Sequence, residues 1–163
     1  MKRYLIILRH AKSDWGDVNL NDFDRPLNSR GKRDIPLMAS YIIQHYPTID
    51  MAIVSDSVRT TETIEGLRKY GVSISELSFS HSLYLASAET IASSLSTIDV
   101  SIESALICAH NPGVSEFVQS LCTLDFFDMP TLGSVLIEID IAQWSDIFSS
   151  KGSLIRFDYP KKK

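Results

Sequence analysis

Arg9 and His10 stand side by side at the end of an apolar run that begins at Tyr4, in the stretch LRHAKS (8–13). A buried strand ordinarily ends in turn residues. Here it ends in a fixed cation with several N–H donors and a ring nitrogen with a lone pair, groups that can hold an anion and attack it. Two further residues of the same kind follow later apolar runs. Arg59 lies in SDSVRTTET (55–63), where it falls in the first turn of the helix that the pattern predicts. His110 lies in AHNPG (109–113), at the tip of the run SALICA. Asn111 is placed to cap the next helix, with Pro112 at its first position. Singly, an arginine near a helix start is usually a surface residue and a histidine after a strand a structural one. Together, Arg9, His10, Arg59 and His110 converge at one predicted sheet edge beside two helix N-termini, which favour anions. The set reads as a site for a phosphoryl group.

The elements that must carry these residues are visible as hydrophobic periodicity. Tyr4–Leu8, 51–55 and 104–109 read as strongly apolar strands. Residues 134–140 alternate and predict a half-exposed strand, 153–157 an edge strand, and 74–79 a weaker one. Helical spacing appears over 33–45 (Ile35, Met38, Ile42, Ile43), at Ile64, Leu67 and Tyr70, at Ile91, Leu95 and Ile98, and most regularly at Val114, Phe117, Val118 and Leu121. Strands alternating with helices, the early strands apolar throughout, predict an α/β layered fold with a mostly parallel sheet. In such sheets ligands gather at the carboxyl ends of the strands. The polar stretch 13–31 leaves from that edge and is long for a connection, as binding loops and lids often are.

The chain has 163 residues, enough for one domain with a sizeable core, and no repeat or interdomain linker divides it, so residues 1–163 read as a single domain. Its net charge of −4 argues against a general nucleic-acid binder, so positive potential must be local. The apolar stretch of MKRYLIIL is interrupted too soon for a secretory leader, and no segment is long enough to span a membrane. Cys108 and Cys122 sit in apolar periodic segments as small core residues, with no disulfide or zinc spacing, which fits a reducing, cytoplasmic setting. No paired-His helix or carboxylate cluster points to a metal, and no cofactor motif is present. His45 and His81 lack the strand-end setting and read as structural or surface residues. The terminal KKK reads as a solvated tail.

With LRHAKS, SDSVRTTET and CAHNPG in this order, the sequence resembles the histidine phosphatase superfamily, the phosphoglycerate mutase-like proteins, and within it the SixA-type phosphohistidine phosphatases. RPLNSRG (25–31) and PTLGS (130–134) support that branch, and the resemblance spans nearly the whole chain. It implies a three-layer α/β/α sandwich and a metal-free phosphatase. His10 matches the nucleophile, Arg9 and Arg59 the phosphoryl clamp, and His110 the second histidine. Ser13 matches a hydroxyl that donates to phosphate, and Arg25 the RPL arginine at the entrance. Ala11 and Gly16 depart from the pattern, standing where relatives carry glycine and asparagine. The general acid of larger relatives has no counterpart. Glu89, in a predicted first helical turn, reads as a surface acid, and Asp14 and Asp17 are loop alternatives.

A leaving imidazole needs less protonation than an alkoxide. The expected activity is therefore hydrolysis of protein phosphohistidine, or a related phosphorylated substrate, through a phosphorylated His10. Neutral His10 attacks and His110 donates, as an imidazolium in the sharpest form of the expectation. The rival readings are a phosphatase of a small phosphomonoester and a non-catalytic phosphate- or phosphoprotein-binding module.

Overall fold

The computed structural model describes residues 1–161; the last two lysines of the tail lie outside the described residues. Six strands form one sheet: β1 (Lys2–Arg9), β2 (Ile49–Ser55), β3 (Ile74–Ser80), β4 (Ser104–Ala109), β5 (Ser134–Asp140) and β6 (Gly152–Asp158). Their order is β3-β2-β4-β1-β5-β6. The first four are mutually parallel; β5 runs antiparallel to β1, and β6 antiparallel to β5. Four helices cover the sheet: α1 (Ser29–His45), α2 (Val58–Lys69), α3 (Ala88–Ser96) and α4 (Gly113–Leu121).

The strand side chains alternate between two cores. Leu5 and Ile7 of β1 pack with Ile91 and Leu95 of α3 and with Val114, Phe117 and Val118 of α4. Ile6 and Leu8 pack with Ile35, Met38 and Ile42 of α1 and with Ile64 and Leu67 of α2. A strand buried on both faces must be apolar at every position, which is why β1 and β4 read as unbroken runs. The expected α/β/α layering is present, and all six expected strands form.

Two expectations change. Strand β5 is buried along most of its length, not half-exposed, because it lies between β1 and β6 with cores on both faces. Helix α1 starts at Ser29, four residues before the predicted start, so the polar connection is shorter than 13–31. Asn28 caps it by accepting from the Gly31 N–H at 2.8 Å. Gly31 itself is forced by proximity, since a Cβ there would lie 2.2 Å from the Lys12 carbonyl oxygen. That close approach seats α1 directly under the segment that follows His10.

Candidate active site

The site forms where three neighbouring parallel strands end level. Arg9 at the end of β1 is in register with Ala109 at the end of β4, and Cys108 with Val54 of β2. His10 and His110 are the next residues on β1 and β4, and Ser55 ends β2 one residue short of them, level with Arg9 and Ala109. The two imidazole rings lie 5.3 Å apart. His10 is 7% exposed and His110 2%.

Each ring is held in a defined tautomer. His10 Nδ1 lies 2.7 Å from the Ala11 carbonyl, which can only accept, so Nδ1 carries the proton. Nε2 is left with its lone pair, and Arg59 Nε donates toward it at 3.4 Å. His110 Nδ1 lies 3.3 Å from Arg59 Nη2, and its Nε2 lies 2.8 Å from Ser55 Oγ. Burial first, then the neighbouring His110 and the arginines, push the His10 pKa down to about 3, the Ala11 hydrogen bond opposing. Burial and Arg59 push His110 down to about 3 as well, against the pull of Asp22. The expected imidazolium at His110 is thus not its state here. A neutral ring meets the demand another way: the Ser55 hydroxyl can donate or accept, so Nδ1 can take the proton when an anion arrives.

Every polar residue of SDSVRTTET with a place in the site's frame has a definable task. Ser55 meets His110, and Ser57 caps α2 by accepting from Thr60 N–H. Arg59 reaches both histidines. Thr63 Oγ1 donates to the Arg59 carbonyl at 2.7 Å and accepts from Ala11 N–H at 3.0 Å, tying the backbone after His10 to α2. The Glu62 carboxylate accepts from Leu27 N–H at 2.9 Å, fastening the far end of the polar loop. From the other side, Leu132 N–H donates to the His10 carbonyl at 2.9 Å, so PTLGS helps fix the same backbone.

The arginines differ in what satisfies them. Arg3, fully buried, gives its donors to the carbonyls of Val100, Ile102, Ile141 and Ala142, and is structural. Arg9 donates from Nη1 to the Met129 carbonyl at 2.9 Å, while its buried Nε has no partner among the described residues. Buried donors are normally paired. An open donor beside His10 is what an anion site leaves ready.

Asn111 departs from its expected role. Pro112, not Asn111, is the residue preceding α4, and no side-chain cap forms. Asn111 instead accepts from Ser115 Oγ at 2.6 Å and donates to the Met129 carbonyl at 3.0 Å, which holds the segment that Arg9 uses. Gly113 lets α4 start close against the preceding turn, since a Cβ there would lie 1.9 Å from the Ala86 carbonyl oxygen. Tyr84, two residues before Ala86, stands edge-on to His110, with ring centres 5.4 Å apart.

Ser13 and Arg25 meet each other. Arg25 Nη1 donates to Ser13 Oγ at 2.9 Å, and its guanidinium lies 3.4 Å from the Trp15 ring centre. The other side of Arg25 holds Asp22, with Nη2 to Oδ1 at 2.9 Å. Asp22 also accepts from Arg59 Nη2 at 3.0 Å and from the Tyr84 hydroxyl, while its backbone oxygen accepts from Arg59 Nη1 at 2.6 Å. Burial would raise the Asp22 pKa, but hydrogen bonds from Tyr84, Arg25 and Arg59 outweigh it and hold the carboxyl well below the usual range. Asp22 is the site residue the sequence pattern did not reveal. In the sequence it is one of five aspartates between residues 14 and 34, and only the fold of the loop selects it. The other acids go elsewhere. Asp14 and Asp17 accept from Gly16 and Asn19 N–H groups within their own turns. Glu89 lines a cleft with Phe117, Phe148 and Lys151. His45 and His81 are exposed as expected; His81 pairs with Asp56 and stacks on Tyr84.

No family model matches the chain. An uncharacterized chloroplastic protein of Arabidopsis thaliana is 29% identical over 93% of this chain and 73% of its own. The solved structure of the candidate phosphohistidine phosphatase SixA of Nakamurella multipartitia superposes with a TM-score of 0.86 at 19% identity, covering 99% of this chain and 98% of that one. The chain has the fold of this SixA structure. A SixA protein histidine phosphatase solved with tungstate shares this fold at a TM-score of 0.81 and 21% identity, over 96% of this chain and 97% of its own. Among the described residues, no helix is long and apolar enough to cross a membrane, and no group of three or more His, Cys, Asp or Glu could hold a metal ion.

Proposed function

We propose that this protein is a SixA-type histidine phosphatase that removes phosphoryl groups from phosphohistidine through a covalent intermediate on His10. One observation carries the reading: the His10 proton is held on Nδ1 by the Ala11 carbonyl, so the Nε2 lone pair faces the guanidinium of Arg59 in a buried, cationic pocket.

The chemistry follows from the neutral rings. The Nε2 lone pair forms a bond to phosphorus in line with the departing group, and the bond to that group breaks. The charge that His10 gains is shared with the Nδ1–H···O=C hydrogen bond to Ala11. Arg59 and the open Arg9 Nε stabilise the equatorial oxygens, and positioned positive charge supplies most of the rate in such transfers. His110 exchanges tautomer through water, Nε2 releasing its proton and Nδ1 gaining one, while the Ser55 hydroxyl turns to donate to Nε2; Nδ1–H then donates to a third oxygen. Water attacks phospho-His10 in the second step and returns the ring to its starting state.

Among the described residues no carboxyl near His10 is a ready acid, because Asp22 is ionised at neutral pH. The leaving group must depart without a donated proton, which suits imidazole better than an alkoxide. The tungstate held by the SixA protein that shares this fold is an oxyanion of the shape this pocket would take.

The test is turnover of a phosphohistidine peptide, quenched without acid and read by mass spectrometry. The expected adduct sits on His10 and disappears in His10→Ala together with at least about 10³-fold of the rate. An adduct on another residue, or full activity in His10→Ala, overturns the proposal.

A further inference from the structure

A carboxylate in the mouth of an anion site is a contradiction that needs a reason. Asp22 is ionised, its side chain is 41% exposed, and it takes a donor of Arg59 that a phosphoryl oxygen would want. It is no accident of a floppy loop. The loop is pinned at both ends by the Ser13–Leu27 bridge and the Glu62 contact, and Arg25, braced by Trp15 and Ser13, holds the carboxylate from behind. The cost in anion affinity therefore has to be offset by the other half of the substrate.

The contacts give the direction. From His10 Nε2 the path runs outward across the Arg59 guanidinium to Asp22 Oδ2. A phosphoryl group on His10 lies at the inner end of that path, and whatever leaves phosphorus in line departs toward the solvent side, where Asp22 and Tyr84 stand. When a phosphoryl oxygen takes Arg59 Nη2, Oδ2 gives up one donor and faces outward with a free lone pair.

We propose that Asp22 determines the leaving-group specificity of the site, pairing with the protonated ring of an N-phosphorylated imidazole and disfavouring phosphate esters. The inference rests on the phosphatase reading above and names the residue that would select its substrate class. The step balances without a proton donor. The substrate ring carries phosphorus on one nitrogen and a proton on the other, with a positive charge that Asp22 stabilises. As the His10 Nε2–P bond forms and the P–N bond breaks, the electron pair returns to the ring nitrogen. The ring leaves as neutral imidazole with its proton still in place. An ester behaves oppositely: its leaving oxygen gains negative charge beside a fixed carboxylate, and like charges disfavour that state.

The experiment compares kcat/KM for N-phosphoimidazole and for p-nitrophenyl phosphate in the wild type, Asp22→Asn and Asp22→Ala, with melting temperatures for all three. The Asp22→Asn side chain keeps one acceptor oxygen, for Arg25 or for Tyr84 and Arg59, and loses the charge. Its expected result is a fall on phosphoimidazole and a rise on the aryl ester, so that the ratio of the two drops at least about tenfold. Should Asp22→Ala melt early, Asp22→Asn alone decides. An unchanged ratio, with both rates falling together, makes Asp22 a structural tie and overturns the inference. Wild type that turns over neither donor, or equal phosphoimidazole hydrolysis by His10→Ala, overturns the phosphatase reading and this inference with it.

Discussion

Ser55 Oγ lies 2.8 Å from His110 Nε2, its one side-chain partner among the described residues. Both residues are buried, and because the hydroxyl can donate or accept it stays paired with whichever nitrogen of His110 carries the proton. Ser55→Ala leaves a buried ring nitrogen unpaired, which costs about 1–3 kcal/mol of stability. It also removes the rotor that lets Nδ1 become a donor. Turnover is expected to fall about 10-fold or more while KM changes little. Ser55→Thr, which keeps the hydroxyl, should restore most of the rate; steady-state kinetics on the three proteins decides.

Arg59 is only 2% exposed, so its removal is not a surface change. Arg59→Ala is expected to lose ~10²–10³ in rate, the usual effect of deleting a transition-state donor. It also leaves Asp22 and both histidines without a shared partner, so melting temperature drops too. Arg59→Lys separates the effects. It retains a charge near Asp22 but not the three-way fork, and should recover melting temperature more than rate.

Stability should weaken in mild acid. Both buried rings, His10 and His110, have folded pKa values near 3 against an ordinary 6.5. Unfolded chains take up protons on these rings as pH falls below about 6.5, whereas the folded protein does not until near 3. The stabilisation is therefore complete above about pH 6.5 and is lost as pH falls through that window. Melting temperature measured from about pH 7.5 down to 4.5 should decline. The decline should be shallower in His10→Gln and in His110→Gln.

Orthophosphate should bind without a metal. The open donor on Arg9 and the exchangeable one on Arg59 supply the positive charge. Titrating phosphate is expected to raise the melting temperature, and EDTA should leave that rise unchanged. Trp15 stacks on Arg25, which holds Asp22, so displacement of Asp22 by phosphate should alter Trp15 fluorescence. Trp144 is fully buried far along the chain and serves as the internal constant in a Trp15→Phe control.

Strand ends were readable because chemistry interrupts hydrophobicity there. Arg9, His10 and His110 break or end apolar runs that must be buried on both faces, and Arg59 follows a Ser57 cap in a recognisable helix start. Other assignments failed where local signals competed with packing. The alternation in 134–140 predicts one wet face, yet β6 and the two cores cover it. Asn111 before Pro112 looks like a cap, but its side chain is worth more latching Ser115 and Met129.

By itself, the sequence determined which residues could do chemistry and on which kind of element each sits, because hydrophobic periodicity and side-chain type are local properties. It determined the α/β class, the strand-end positions of Arg9, His10 and His110, and the place of Arg59 in a first helical turn. Only the tertiary structure decided how they are charged and who opposes them. The order β2-β4-β1 sets Ser55 against His110 across 55 residues of chain, and the folded loop brings Asp22 to Arg59 across 37. Proton positions and pKa values depend on burial and on those distant partners, and no local pattern encodes a contact between residues whose separation in sequence is closed only by the packed sheet.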